Sequence, residues 1–407
     1  MSVAEAPAPA AALDVATAIG FGIARRAIRH DGRCTWFDGI PALPGVNPAT
    51  SAASGPDVYG GTAGIGLFLA QLAARVDDRT LRRTARGALR HALLRAADAP
   101  ALGFYAGRAG VAAAAVLAGA DLGDDELIDG GLTLLRFVAL RSADVRASDL
   151  LNGIAGSLLA FAVAYRVRPD DALLRRARSA AEALLGCARE REDGALSWDT
   201  MPDASGDLTG FAHGTAGIAY ALLALHAIDQ DAAWRDALAR IFAYERSCYS
   251  AEHANWPDFR WFGGPRVAGY TNAWCHGAVG IVRTRLLAAR LGVDAGTETD
   301  AALDAVARLA ETLLAMPGAD VTLCHGLFGA VDALLAASRA GRTAYAPLVA
   351  RCAETVAARH HAAEAPLPSG LTSREQIDGL LMGSAGVGHV FLRLADPALA
   401  SVLAPAG

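Results

Sequence analysis

Three short stretches set thiols and imidazoles directly before a glycine: Ala212-His213-Gly214, Trp274-Cys275-His276-Gly277 and Leu323-Cys324-His325-Gly326. Cys275 and Cys324 stand 49 residues apart. That is too far for a local metal motif such as paired C-x-x-C, but a repeating fold carries equivalent positions to one rim. Cys275, Cys324 and His325 would then offer two thiolates and one imidazole, a donor set that suits zinc and its tetrahedral preference. Three protein ligands leave the fourth position open, as a catalytic zinc requires. A fourth protein ligand, for which His276 is the candidate, would make the metal structural. His213, an imidazole and so a side chain able to take and return a proton, is the candidate general acid/base. Cys34, Cys187, Cys248 and Cys352 fall in helical stretches or their flanks and read as packing thiols.

The elements that must position these groups show themselves as a repeat. Glycine, two residues, glycine, then an apolar run occurs seven times: Gly61–Gly64, Gly107–Gly110, Gly153–Gly156, Gly214–Gly217, Gly277–Gly280, Gly326–Gly329 and Gly383–Gly386. One such pair carries no information, but seven with the same continuation do. The apolar runs (65–76, 157–167, 218–228, 281–291, 330–340) are rich in Ala and Leu and apolar on every side, as a buried helix is. Between them lie amphipathic, arginine-studded stretches at 13–30, 79–97, 125–141, 171–191, 231–247, 299–316 and 344–361. Several open on Asp or Thr, good N-caps. Nothing long alternates with period two, so strands are at most local.

Seven alternations of a wetted and a buried helix predict 14 helices, all-α, closing into an α/α toroid whose inner helices line a central cavity. The glycine pairs are expected in tight turns just before the inner helices, at one end of the ring. Two long segments interrupt the pattern. One, 192–211, holds Trp198, Asp199, Asp203 and Asp207. The other, 249–270, holds Trp256, Phe259, Trp261 and Phe262, an unusual concentration in a chain only 6% aromatic. Such a loop either holds a ligand over the cavity or plugs itself into the core.

Composition narrows the class. The chain has 407 residues, 94 alanines, 43 glycines and no lysine, so all 37 basic residues are arginines. A net charge of −5 leaves no nucleic-acid footprint. With 53% hydrophobic and 19% charged residues the chain is not disordered, and no apolar run approaches the roughly 20 residues of a membrane span. Six cysteines at irregular spacing suit a reducing cytoplasm. Residues 1–12, with Glu5 and no basic residue before an Ala/Pro tract, read as a disordered tail rather than a signal peptide. Residues 13–407 read as a single domain.

The seven-fold G-x-x-G series, with A-H-G, W-C-H-G and C-H-G at repeats four to six, resembles the lanthionine synthetase C family, the LanC-like cyclases, over essentially the whole chain from Leu13. The resemblance implies a zinc enzyme on a toroid of 14 helices. Its activity would be the addition of cysteine thiols to dehydroalanine or dehydrobutyrine in a dehydrated precursor peptide, forming thioether rings. It implies Cys275, Cys324 and His325 as zinc ligands and His213 as acid/base. Asp149, four residues before Gly153, matches an active-site aspartate, although it could also cap the helix that follows. Trp274, His276, Thr271, Trp256 and Trp261 are candidates for substrate binding or support of the site. Thr271 stands where some members have arginine, His276 where some have tyrosine, and Val279 where some have proline. The repeats account for nearly the whole chain, so dehydration would fall to a separate dehydratase or kinase/lyase-type enzyme. Addition of glutathione or another small thiol, or a non-catalytic toroid stapled by zinc, are the alternative readings.

Overall fold

The computed structural model describes residues 9–38, 52–99, 101–138, 148–201, 203–260, 269–362, 367–369 and 377–407. Fourteen α-helices lie among them. The outer ones are α1 (Pro9–Arg26), α3 (Arg79–Leu94), α5 (Asp125–Phe137), α7 (Asp171–Gly186), α9 (Ala232–Cys248), α11 (Thr299–Ala315) and α13 (Ala346–Ala362). The inner ones are α2 (Thr62–Val76), α4 (Arg108–Leu122), α6 (Ile154–Val167), α8 (Thr215–His226), α10 (Ala278–Arg290), α12 (Leu327–Arg339) and α14 (Ser384–Ala395).

Burial follows the sequence pattern. Every residue of α8 is buried, whereas α7 buries a single stripe of Leu173, Ala177, Ala180, Ala181 and Leu184. Asp78, Asp124, Asp170 and Asp231 cap α3, α5, α7 and α9 by accepting from amides of the first turn.

The inner helices start differently. The first glycine of every pair is the N-cap and has no side chain to offer. The preceding loop supplies the acceptors instead, as when Thr62 N donates to Gly55 O at 2.8 Å and Thr215 N to Leu208 O at 2.9 Å. The second glycine lies inside the first helical turn rather than in the turn before it. The reason is steric. A Cβ there would sit 1.5–2.3 Å from the carbonyl oxygen six residues back: Val58, Phe104, Leu150, Phe211, Trp274, Leu323 and Leu380 in the seven repeats.

The ring is closed by the backbone itself. The residue two before each first glycine (Tyr59, Tyr105, Leu151, Ala212, Cys275, Cys324, Leu381) accepts a hydrogen bond from the preceding station. Tyr105 accepts from Val58, Leu151 from Ala106, Ala212 from Leu151, Cys275 from Ala212, Cys324 from Trp274 and Leu381 from Leu323. Leu381 N then donates to Tyr59 O at 2.8 Å, so station seven returns to station one. Inner helices touch in the order α2, α4, α6, α8, α10, α12, α14 and back to α2, and α1 packs on α14.

Several boundaries depart from the sequence reading. The first helix begins at Pro9, within the stretch read as a tail, and buries Ala12; residues 1–8 lie outside the described part. That helix stops at Arg26. Ile28–His30 (β1) pairs with Arg33–Thr35 (β2), so His30 and Cys34 are on strands, not helices. Further short pairs join Phe37–Asp38 (β3) to Ala52–Ala53 (β4) and Arg189–Glu190 (β5) to Leu196–Ser197 (β6). The positive-φ residues Asp31 and Gly32 make the tight turn between β1 and β2.

Candidate metal and acid/base site

The residue just before each first glycine is His213, His276 and His325 at stations four to six, and the one before that is Cys275 and Cys324 at stations five and six. Ring closure carries these columns to one rim, at the N-terminal ends of α8, α10 and α12. There Cys275, Cys324 and His325 each present one ligand atom, all within 4.8 Å of one another. Both cysteines are buried and His325 is exposed at the edge. The Cys324 sulfur lies 3.5 Å from His325 Nε2.

Ionisation of the two neighbouring sulfurs is linked, since holding one as a thiolate disfavours ionising the other. The Cys275 thiol is pulled down, chiefly because its thiolate accepts a hydrogen bond from Cys324 and a further one from His325. Cys324 is pushed up for the same reason, with burial adding to it. Hydrogen bonding to Cys275 also raises His325. Two thiols in so confined a place cannot both ionise unless a cation joins them. An S, S, N set whose sulfurs are buried and need positive charge fits a metal ion.

His213 is the second centre. Its Nδ1 lies 2.6 Å from Asp149 Oδ2, and the threonine hydroxyl of Thr200 donates to its backbone carbonyl. Asp149 is 3% exposed, and its other oxygen accepts from Asn152 N at 2.6 Å. Asp149 therefore both caps its own turn and orients His213. With Nδ1 engaged, Nε2 is the nitrogen left for proton exchange.

His276 stands outside the Cys275, Cys324 and His325 cluster. Its ring stacks on His213 with centroids 5.8 Å apart, and Nδ1 faces Asp258 at 3.7 Å. Burial holds it neutral, its pKa lowered to about 4. Thr271 supports the site through its backbone. Its carbonyl accepts from Asn255 and lies where a Cβ on Gly277 would come within 1.9 Å; Gly277 has φ +83°, which favours glycine.

Both candidate tryptophans that lie within the described residues are core. Trp274 is fully buried, edge-on to Tyr105 at 4.7 Å, in the ring of large apolar residues that each precede a first glycine by three. Trp256 is also fully buried, donating to Glu245 O at 2.9 Å and packing on Tyr249. In this structure neither has surface to offer a substrate. The second long segment thus uses Trp256 as a plug, while Trp261 lies outside the described residues.

Three groups at the site escaped the sequence reading. Tyr59 donates its hydroxyl to Cys324 Sγ at 3.0 Å, reaching across the closure from station one. Asp258, 2% exposed, accepts from Arg260 Nε at 2.9 Å and Nη2 at 2.7 Å. Against the upward pull of burial, these bonds hold Asp258 down at about 2. The guanidinium of Arg260 feels the charge of both Cys275 and Cys324, so the site has a permanent cation although position 271 is threonine. Tyr59 was detectable, since it occupies the same repeat column as Cys275 and Cys324.

A cavity of about 540 Å³ lies elsewhere, at the C-terminal ends of α10, α12 and α14. Its arginines are engaged in structure. Arg283 and Arg393 hold the buried Asp332, and Arg339 holds carbonyls of the 393–399 segment. The thiol and histidine groups mark the chemical end of the ring.

The sequence matches the lanthionine synthetase C-like protein family over residues 53–405. Among solved structures the chain superposes on nisin cyclase with a TM-score of 0.66, at 17% identity, covering 97% of this chain and 96% of that one. At that identity the likeness concerns the fold. A sugar epimerase from a ruminal bacterium (TM-score 0.45, 13% identity, 72% and 87% coverage) also matches. So does a family 76 glycoside hydrolase from a bovine Bacteroides thetaiotaomicron strain (TM-score 0.43, 11% identity, 74% and 68% coverage). No curated protein matches by sequence. With the family match spanning nearly all of the described ring, this chain belongs to the lanthionine synthetase C-like family.

Proposed function

We propose that this protein is a zinc-dependent peptide cyclase that closes thioether rings in a dehydrated ribosomal precursor peptide. Cysteine thiols of the peptide would add to its dehydroalanine or dehydrobutyrine residues. The observation that carries this reading is the convergence on one rim of the Cys275, Cys324 and His325 donors with the His213–Asp149 pair. Family membership and the fold shared with nisin cyclase support it.

Cys275, Cys324 and His325 would hold the zinc, which when bound lowers the pKa of a substrate thiol. His213 Nε2 takes the thiol proton, and Asp149 stabilises the resulting imidazolium and fixes its orientation. The sulfur forms its bond to the β-carbon as the C=C π bond opens, placing negative charge on the adjacent carbonyl as an enolate. His213 returns the proton to the α-carbon. Atoms balance: one C–S and one C–H bond form, and the peptide mass does not change. The dehydrated peptide comes from a separate dehydrating enzyme.

The test is to incubate the zinc-loaded protein with a dehydrated, cysteine-containing peptide, with and without glutathione, and then alkylate and weigh the products. Ring closure leaves the mass of the dehydrated peptide unchanged while removing alkylatable thiols. A mass gain equal to glutathione, or full alkylation after incubation, overturns the reading.

A further inference from the structure

A site that binds a substrate sulfur has an electrostatic problem. Cys275, Cys324 and the incoming thiolate would place three negative charges around one dication, in a partly buried pocket. Something in the protein must offset that excess, because uncompensated buried charge is expensive.

Two groups from unrelated parts of the chain are placed to do so. Tyr59, at station one, directs its hydroxyl at Cys324 Sγ from 3.0 Å. Its position is set by the ring closure, where its own carbonyl accepts from Leu381 N. Arg260 is set by a different device. Asp258 clamps the guanidinium through Nε and Nη2, and its backbone pairs with Gly269 on both sides. Between them, the Phe259 carbonyl accepts from Ser205 N at 2.8 Å and Ser205 Oγ at 3.1 Å. Asp258 also faces His276, the residue next to Cys275, at 3.7 Å.

We infer that Tyr59 and Arg260 are positioning residues that offset thiolate charge and so adapt this site to accept a third sulfur, that of a thiol bound as its thiolate. The inference rests on the metal-site part of the proposed function but not on ring closure. Removing the Tyr59 donor or the Arg260 cation leaves the sulfurs more negative, so a further thiolate binds less readily and needs a higher pH to form.

The experiment uses the full chain with Co²⁺ in place of zinc and 2-mercaptoethanol as the probe, reading sulfur-to-cobalt charge-transfer absorption against thiol concentration and pH. Y59F and R260Q should keep full cobalt content. Each should bind the thiol roughly threefold to tenfold more weakly, with the pH midpoint for binding moved up, as expected for loss of one charge-assisted contact. R260K should recover part of the R260Q loss. Equal affinities and pH midpoints in parent, Y59F and R260Q overturn the inference, as does a cobalt-loaded parent whose spectrum ignores the thiol. If the parent binds thiol as described yet closes no rings on a dehydrated peptide, the cyclase reading fails and this one stands.

Discussion

In the proposed reaction His213 depends on a single contact, its Nδ1 lying 2.6 Å from Asp149 Oδ2. A carboxylate there would hold the tautomer with the proton on Nδ1 and would stabilise the ring further once it is charged. Asp149→Asn keeps the shape and removes that charge. Ring closure should slow about 10²-fold or more in Asp149→Asn and by as much as about 10⁴-fold in His213→Ala, the range for lost general acid/base catalysis. Zinc content should stay at the parental level in both, measured by metal analysis on the purified proteins. Loss of zinc along with activity would instead place His213 in the metal site. Cys324→Ala should show the opposite pattern and lose the metal first. The convergence of Cys275, Cys324 and His325 was legible because each sits at a fixed offset from a glycine that the repeat carries to the rim, whereas Asp149 entered through the family resemblance. Asp258 and Arg260 were not, because their place depends on a non-repeating loop folding over the ring. Trp256 was open to misreading, because an aromatic in a long loop gives no sign in sequence of whether its face meets a ligand or Glu245 and Arg285.

At the scale of the elements, the inner helices are specified by what is missing. Their glycine N-caps make no side-chain bond, and the amides of the first turn rely on carbonyls of the preceding loop pressed against them. That contact tolerates no Cβ at the second glycine. At Gly110 the added carbon would stand 1.5 Å from Phe104 O, and the obstacle is backbone, which cannot rotate away. Gly110→Ala should therefore cost at least about 3 kcal/mol, the upper range for overpacking. Gly186 closes the exposed side of α7 with nothing within 4 Å of an added Cβ. Gly186→Ala should be neutral or stabilise by up to about 1 kcal/mol, the helix-interior preference for Ala over Gly. Chemical denaturation midpoints compare the two, and equal effects would remove the steric account of the repeat. The sequence placed most helix cores within a few residues, since 3.6-residue burial and Asp caps are local signals. It put the second glycines in the turn because a lone G-x-x-G does not reveal which helical turn lies against which carbonyl. The strands β1 and β5 were absorbed into neighbouring helices, because their Arg-containing polar sequences continue the amphipathic pattern.

Across the whole molecule, the ring is only as stable as its seam, where α14 meets α1 and α2, and part of that seam titrates. His389 of α14 is completely buried, its Nδ1 3.1 Å from Gln71 Oε1 on α2, and its Nε2 accepts from Val402 N at 3.1 Å. Both contacts are satisfied by the neutral ring, with Nδ1 carrying the proton. Burial lowers its pKa to about 3, helped by Arg393, Arg75 and Arg339, with Asp332 opposing. The unfolded chain, at the ordinary value near 6.5, binds the proton that the folded ring refuses. Between those two values the unfolded state holds more protons, so stability falls as pH falls, by a share approaching about 1.4 kcal/mol per pH unit from this residue. His91, His226 and His276 are lowered as well and add slopes of the same sign. The contribution of the seam must therefore be read as a difference. His389→Gln keeps an amide donor and acceptor in the same place without a titrating group. Urea denaturation of the two proteins at pH 6.5, 5.5 and 4.5 should show a parent that loses stability more steeply than the variant over that interval, whatever their order at pH 6.5. Parallel lines would mean that His389 titrates alike in both states, and that the closure of this ring is not held by a neutral imidazole.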